Sequence, residues 1–168
     1  MSEIRVDTLK NRAGTSTITT ADVTNTPAFE AQLSSNQTIS DNTSTKVNFA
    51  TEIFDTDSKY DSSTNYRFTP TIAGKYFVYL SLGIGAGADS ELQNIYAILR
   101  KNGNIVKHSH FNFAANNPRF GTVNMNAIIT FDSDDYIEAF AQAADASGSA
   151  IIEASNYSTF GAYKLIGL

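Results

Sequence analysis

The chain is predicted to be an all-β protein, a two-sheet antiparallel jelly-roll sandwich preceded by a short N-terminal β stem. From residue 27 onward, short runs of β-branched and aromatic residues alternate with polar turns, and roughly eight to ten such runs suit a jelly roll. Thr, Ser and Asn are abundant, whereas the chain contains only 3 Pro. No stretch shows the periodicity of a long amphipathic helix.

Residues 1–26 form the predicted stem. Ile4, Val6 and Leu9 are its large apolar residues before a polar turn at 11–14, and a Thr-rich run follows. A lone hairpin of this kind buries too little apolar surface to be stable in water. We therefore expect Ile4, Val6 and Leu9 to anchor the stem on another protein, and the folded domain to span residues 27–168.

Strands and loops of the domain follow from apolar runs and turn residues. The first half is predicted to hold strands at 28–33, 46–49, 53–55, 66–68 and 75–82, with polar loops such as 34–44 between them. The glycine-rich segment GIGAGADSE at 83–91 is predicted to be a flexible loop. The second half is predicted to hold strands at 92–101, 104–113, 120–131, 136–143, 151–153 and 158–165. Asn102-Gly103 indicates a hairpin turn between the first two of these.

Strand 75–82 is apolar on both of its faces. Tyr76, Val78 and Leu80 point to one side, and Phe77 and Tyr79 point to the other. The first set is predicted to face the sandwich core. Because the chain offers no helix to cover the second face, we expect Phe77 and Tyr79 to contact neighbouring subunits of an oligomer.

Several aromatic residues and a glycine around this strand stand at characteristic spacings. They are Phe49, Asp55, Tyr60, Phe68 and the run Gly74-Lys75-Tyr76-Phe77-Val78. Together they resemble the signature of C1q-type globular domains, which share a trimeric jelly-roll fold with the tumour necrosis factor cytokines. The gap from Tyr60 to Phe68 is one residue longer than in that family, and Val78 and Leu80 replace frequent aromatics. The resemblance covers residues 27–168 and implies a homotrimer.

The run Ile4-Arg5-Val6-Asp7-Thr8-Leu9-Lys10 resembles stretches of virion structural and tail-fibre proteins of marine bacteriophages. It implies a structural protein that is made in the host cytoplasm and carried on the virion surface. The leading hypothesis is a homotrimeric knob, at a tail-fibre tip or head fibre, which attaches the virion to a host surface glycan or protein. Other virion proteins would hold the stem. The alternative is a capsid decoration or cement protein that stabilises the shell, which a short stem favours.

Composition and charge exclude several classes of function. The net charge of −5 and a pI near 4.9 argue against nucleic-acid binding, which needs clustered Lys and Arg. No run reaches the ~20 apolar residues of a membrane span. The chain has 0 Cys, so neither disulfides nor thiol chemistry are expected.

Two groups of residues are candidates for binding a metal ion. His108 and His110 share one face of a strand, as a cupin-like metalloenzyme would need, but neither a third histidine nor a nearby carboxylate follows. Asp132, Asp134 and Asp135 resemble calcium ligands, yet the EF-hand glycine and glutamate are missing and Asp also favours turns. No Gly-x-Ser-x-Gly motif is present. We therefore expect no catalytic residue, no metal and no cofactor, with a cupin-like enzyme as a third alternative.

Overall fold

The computed structural model describes residues 8–10, 13–14, 17–19, 24–113 and 115–166. Fifteen strands lie within these ranges. They are β1 (Thr8–Lys10), β2 (Thr17–Thr19), β3 (Ala28–Gln32), β4 (Gln37–Ser40), β5 (Thr45–Lys46), β6 (Thr51–Asp55), β7 (Tyr60–Asp61), β8 (Arg67–Phe68), β9 (Gly74–Ala86), β10 (Leu92–Lys101), β11 (Asn104–Asn112), β12 (Phe120–Phe131), β13 (Ile137–Asp145), β14 (Ser149–Ile152) and β15 (Thr159–Lys164). A 3₁₀ turn, Ser155–Tyr157, precedes β15.

The strands from β3 onward form two antiparallel sheets. The first sheet has the order β4-β14-β9-β15-β3-β6, and β12 pairs with the other edge of β9 from Gly74 to Gly85. The second sheet has the order β11-β10-β13-β8-β7, and β5 pairs with β13. Strands β11 and β12 therefore lie at one side of the sandwich, and β6 and β7 lie at the other.

The two sheets enclose a single apolar core. Tyr76, Val78 and Leu80 of β9 are at most 1% exposed, so the predicted core face of this strand is confirmed. Phe29 of β3 stacks on both Tyr60 and Phe68 with ring centroids 4.5 Å apart. Burying each such side chain contributes about 1.5–3 kcal/mol, which makes this face-to-face packing the main source of stability.

The residues of the C1q-type signature have identifiable structural roles. Phe49, Tyr60 and Phe68 are buried in the core, and the Tyr60 hydroxyl donates to the Phe49 carbonyl at 3.0 Å. Asp55 accepts the backbone N–H of Tyr60 at 2.7 Å. Gly74 has a φ of 153°, within the region that favours glycine. The signature thus records the aromatic core and the turns that close it.

Two predicted loops were wrong in part, because each contains residues of a strand. Residues 83–86 of the segment GIGAGADSE continue β9 and pair with β12 and β14. Glycine is required there because a Cβ on Gly83 would lie 2.8 Å from the Tyr157 Cβ and 3.0 Å from the Phe120 ring. The predicted loop 34–44 contains β4, whose Ile39 is 1% exposed and which pairs with β14.

The Asn102-Gly103 turn joins β10 to β11, as predicted. Both residues have positive φ angles, 50° and 79°, which a tight hairpin turn of this sequence requires. The bounds of β10 and β12 also match the predicted strands at 92–101 and 120–131.

The N-terminal segment contains a small antiparallel hairpin. β1 pairs with β2 so that Leu9 is opposite Ile18. Ile4 and Val6, two of the predicted anchoring residues, lie outside the described residues, as does the side chain of Leu9. In the part of the chain that the structure describes, no helix has the length and apolar character that a membrane span would need.

Candidate functional site

The outward face of the first sheet carries a row of apolar side chains. The strand register places Ile128 of β12, Phe77 of β9 and Tyr163 of β15 side by side. The rings of Phe77 and Tyr163 are 5.4 Å apart between centroids, and those of Phe77 and Tyr79 are 6.3 Å apart. Ile128 is 62% exposed. We call Phe77, Tyr79, Ile128 and Tyr163 the apolar patch.

Tyr79 is fixed in the patch by a hydrogen bond and by the glycine beneath it. Its hydroxyl donates to Glu30 Oε2 at 2.7 Å. Burial, followed by the bond to the Glu30 carboxylate, raises the pKa of Tyr79 above its usual value. A Cβ on Gly161, the neighbouring residue of β15, would lie 2.2 Å from the Tyr79 ring. Only glycine at this position lets the tyrosine lie flat on the sheet.

Towards the other end of the same face, a polar row separates the patch from a second pair of aromatic residues. Asn124 of β12, Ser81 of β9 and Thr159 of β15 are aligned by the register. Beyond them, Phe120 and Tyr157 meet edge to face at 5.4 Å, and both are exposed. The face therefore carries apolar side chains at both ends and hydrogen-bonding groups between them.

Sequence reasoning found only part of this face. Phe77 and Tyr79 do point away from the core, and their contact with neighbouring subunits remains a prediction. Ile128 and Tyr163 were missed. A signal existed for Ile128: in strand 120–131, Val123, Met125 and Ile129 are buried in alternation, and Ile128 adds an apolar residue to the opposite face. This is the same double-faced pattern that identified Phe77.

Asp132, Asp134 and Asp135, the candidate calcium ligands, have different environments. Asp132 and Asp134 are exposed, whereas Asp135 is 6% exposed. The Asp135 carboxylate accepts hydrogen bonds from the Asn102 side-chain amide and the Asp132 backbone N–H, both at 2.6 Å, and pairs with Lys101 at 2.5 Å. These bonds, of which that from Asp132 contributes most, lower the pKa of Asp135 to about 2. Asp135 therefore links the β10–β11 turn to the β12–β13 turn.

His108 and His110 lie on one face of β11, as their spacing predicts, and both are exposed. Their ring centroids are 6.3 Å apart, and His110 stacks on Tyr96 at 5.0 Å. Within the described ranges, no three His, Cys, Asp or Glu residues are placed to hold one metal ion. The expectation of no metal and no cofactor stays a prediction.

No protein-family model and no curated protein matches the chain. Solved structures do match it. The structure of Eiger TNF from S. frugiperda is 11% identical, covers 84% of this chain and 93% of its own, and has a TM-score of 0.63. Murine APRIL at pH 5.0 is 10% identical, covers 82% of this chain and 98% of its own, and has a TM-score of 0.61.

These similarities establish the fold. The chain is a two-sheet antiparallel jelly-roll sandwich of the tumour necrosis factor type, as the sequence predicted. Because these structures are only 10–11% identical in sequence to this chain, the similarity shows the fold alone.

Proposed function

We propose that this chain is a non-enzymatic structural protein of a bacteriophage, which forms a homotrimeric knob on the virion surface and attaches the particle to its host. The observation that carries the proposal is the apolar patch on the outward face of a TNF-like jelly roll. The resemblance of residues 4–10 to virion proteins supports the bacteriophage origin.

The position of the patch favours a closed ring of subunits. Among the described strands, β12 pairs only with β9, so Ile128 lies at an edge of the first sheet beside Phe77. An edge of one subunit that packs on the face of the next makes a head-to-tail contact, and such contacts form a cyclic oligomer when the rotation between subunits closes. The resemblance to C1q-type and tumour necrosis factor domains implies that three subunits close the ring.

Burial of the patch supplies the driving force for assembly. Ile128 is 62% exposed and Phe77 is half-buried, so covering them contributes part of the about 1.5–3 kcal/mol that full burial of such a side chain gives, and each of the three interfaces repeats the gain. The polar row of Asn124, Ser81 and Thr159 then provides hydrogen bonds inside the interface.

Adhesion follows from the geometry of a trimer on a stem. Three identical binding surfaces around one axis turn a weak contact with the host into useful avidity. Loops between the strands vary without disturbing the core, so they are suited to contact the host. The N-terminal hairpin of β1 and β2 would hold the knob on other virion proteins. The proposal assigns no catalytic role to His108 and His110.

Immunogold electron microscopy and a competition assay test this function together. Antibodies against the purified chain should label intact particles of the phage that encodes it. The purified chain should also compete with these particles for adsorption to host cells. If the antibodies label the head and the purified chain does not compete for adsorption, the protein decorates the capsid and is not an adhesin. If the antibodies do not label intact particles, the virion role is refuted.

A further inference from the structure

We propose that a polar groove at the β6–β7 side of the sandwich binds a neutral carbohydrate, an assignment that rests on the adhesive function proposed above. The groove is lined by residues 33–38, by Asn48 and Ala50, and by Tyr66. Its volume of about 390 Å³ lies within the roughly 300–1,000 Å³ of typical small-molecule sites.

The groove is accessible in the proposed trimer. Residues 33–36 join β3 to β4 of the first sheet, residues 37 and 38 begin β4, and Tyr66 precedes β8 of the second sheet. Strand β12, with the patch residue Ile128, lies at the opposite side of the sandwich. A ring that closes through the β9–β12 region would leave three copies of the groove facing outward.

The chemistry of the lining residues selects the class of ligand. Ser34, Ser35 and Thr38 provide hydroxyls, Asn48 provides an amide and Tyr66 provides an aromatic ring, while no lining residue carries a charge. Within the described residues, the side chains of Ser34, Ser35, Thr38 and Asn48 make no hydrogen bond to other protein groups. A pyranose combines many hydroxyls with an apolar C–H face that packs on an aromatic ring. An uncharged sugar is therefore the ligand that these groups complement.

The walls of the groove are held in place without a ligand. The Asn36 amide donates to Glu153 at 2.6 Å and accepts the backbone N–H of Ala154 at 2.9 Å. The Gln37 amide donates to the Lys46 carbonyl at 2.8 Å and accepts the backbone N–H of Asn48 at 2.9 Å. Because both side chains are bonded at each end, little conformational entropy remains to be lost when a ligand binds.

Tyr66, which lines the groove, has an uncommon backbone conformation. Its φ is 49°, in the left-handed region that residues other than glycine rarely adopt, and such residues cluster at functional sites. The preceding loop is organised by the Asp61 carboxylate, which accepts the backbone N–H groups of residues 63, 64 and 65. These bonds hold the pKa of Asp61 well below its usual range. Lys46 also donates to the Asn65 carbonyl at 3.2 Å.

A glycan array tests the groove directly. The purified full chain is applied to neutral oligosaccharides that end in glucose, galactose or N-acetylglucosamine, with sialylated and sulfated glycans beside them. We expect binding to at least one neutral glycan, little effect of added salt, and no requirement for a charged sugar. Calorimetry with that glycan then gives the affinity.

Variants identify the residues responsible. Tyr66→Ala and Asn48→Ala should each weaken binding by about tenfold, which corresponds to 1.4 kcal/mol. Tyr66→Phe should retain most of the affinity, because it keeps the ring. Matched controls are Tyr96→Ala, a half-buried tyrosine on the second sheet, and Asn116→Ala, an exposed asparagine after β11. Both controls should bind like the wild type, and all variants should keep its mass and remain folded at the assay temperature.

The outcomes separate this proposal from the function on which it rests. Binding that survives both Tyr66→Ala and Asn48→Ala, or binding confined to charged glycans, would overturn the groove assignment. So would a wild type that binds none of the neutral probes. If that wild type still adhered to host cells, only the groove would be wrong; if it did not adhere, the adhesive function would be wrong as well.

Discussion

Asp135 shows how a single carboxylate stabilises one end of the sandwich. It is nearly buried, and its partners come from both the β10–β11 turn and the β12–β13 turn. A charged group with three such partners contributes more than a neutral hydrogen bond does. Its loss should therefore be visible in the stability of the whole domain.

Asp135→Asn should lower the free energy of unfolding at pH 7 by about 1.5–3 kcal/mol, the usual contribution of hydrogen bonds to a charged group. The native pKa of Asp135, about 2, lies below the ordinary value of 3.8, so the native state favours the ionised form. The stabilisation is fully present above about pH 4 and is lost as the pH falls towards 2. Urea unfolding at several pH values measures this dependence.

Asp134→Asn is the matched control, since Asp134 is exposed in the same turn. It should unfold like the wild type at every pH. Equal stability of the Asp135 variant and the wild type at neutral pH would show that the carboxylate does not join the two turns.

Gly161 is the second informative residue, because it lies directly beneath Tyr79. Gly161→Ala should destabilise the domain by about 1–3 kcal/mol, as overpacking commonly does. The same substitution in a Tyr79→Ala background should cost much less, because the clash of 2.2 Å with the ring is gone. Thermal unfolding of the four proteins gives the coupling energy. If the effects of Gly161→Ala and Tyr79→Ala on stability were additive, Gly161 and the Tyr79 ring would not be in contact.

At the scale of the strand, local pattern predicted most of the fold. The apolar run of β9, the Asn102-Gly103 pair and the long strand at 120–131 were predicted from local signals, and the structure bears out each of them. The extension of β9 through Gly83 and Gly85 was missed because its cause is distant in sequence. Gly83 is needed to fit Phe120 and Tyr157, which the sequence does not place beside it.

The candidate sites were predictable only in part, for the same reason. Phe77 and Tyr79 follow from one strand, whereas Tyr163 joins them through the pairing of β15 with β9. The groove combines residues 33–38, which lie beside the first sheet, with Tyr66, which lies beside the second. No spacing within the sequence brings these groups together. The positive φ of Tyr66 could not be predicted either, because tyrosine does not favour that backbone conformation.

The N-terminal hairpin leads to a prediction about its role. A variant that lacks residues 1–24 should fold and assemble like the full chain, because it keeps every strand from β3 onward. It also keeps Asn25, whose carbonyl accepts the backbone N–H of Lys164 at 3.2 Å. The variant should fail to attach to particles that lack the native protein, since the stem is the proposed anchor. Circular dichroism and co-sedimentation with such particles measure the two properties.

Loss of folding would contradict the domain boundary, and attachment without the stem would contradict the anchoring role. A variant in which Ile4, Val6 and Leu9 are replaced by Ser provides the control. It keeps the length of the stem and should reproduce the loss of attachment.

In the whole molecule, the proposed trimer requires that a neighbouring subunit covers the apolar patch. Phe77→Glu would place a charge at the centre of the proposed interface, and burying an unpaired charge is strongly unfavourable. The trimer should therefore dissociate or aggregate before the jelly roll unfolds, because Phe77 points away from the core. Ile53→Glu is the control: Ile53 is 51% exposed on β6, at the opposite side of the sandwich from β12. It should leave assembly unchanged.

The mass of the wild-type protein in solution, measured by size exclusion with multi-angle light scattering, decides whether the chain is a trimer. We expect a single species of three times the 18.2 kDa chain, for the wild type and for Ile53→Glu, with the trimer lost in Phe77→Glu. A wild type that stays monomeric at micromolar concentrations, or a Phe77→Glu variant that remains a well-folded trimer, would contradict this expectation.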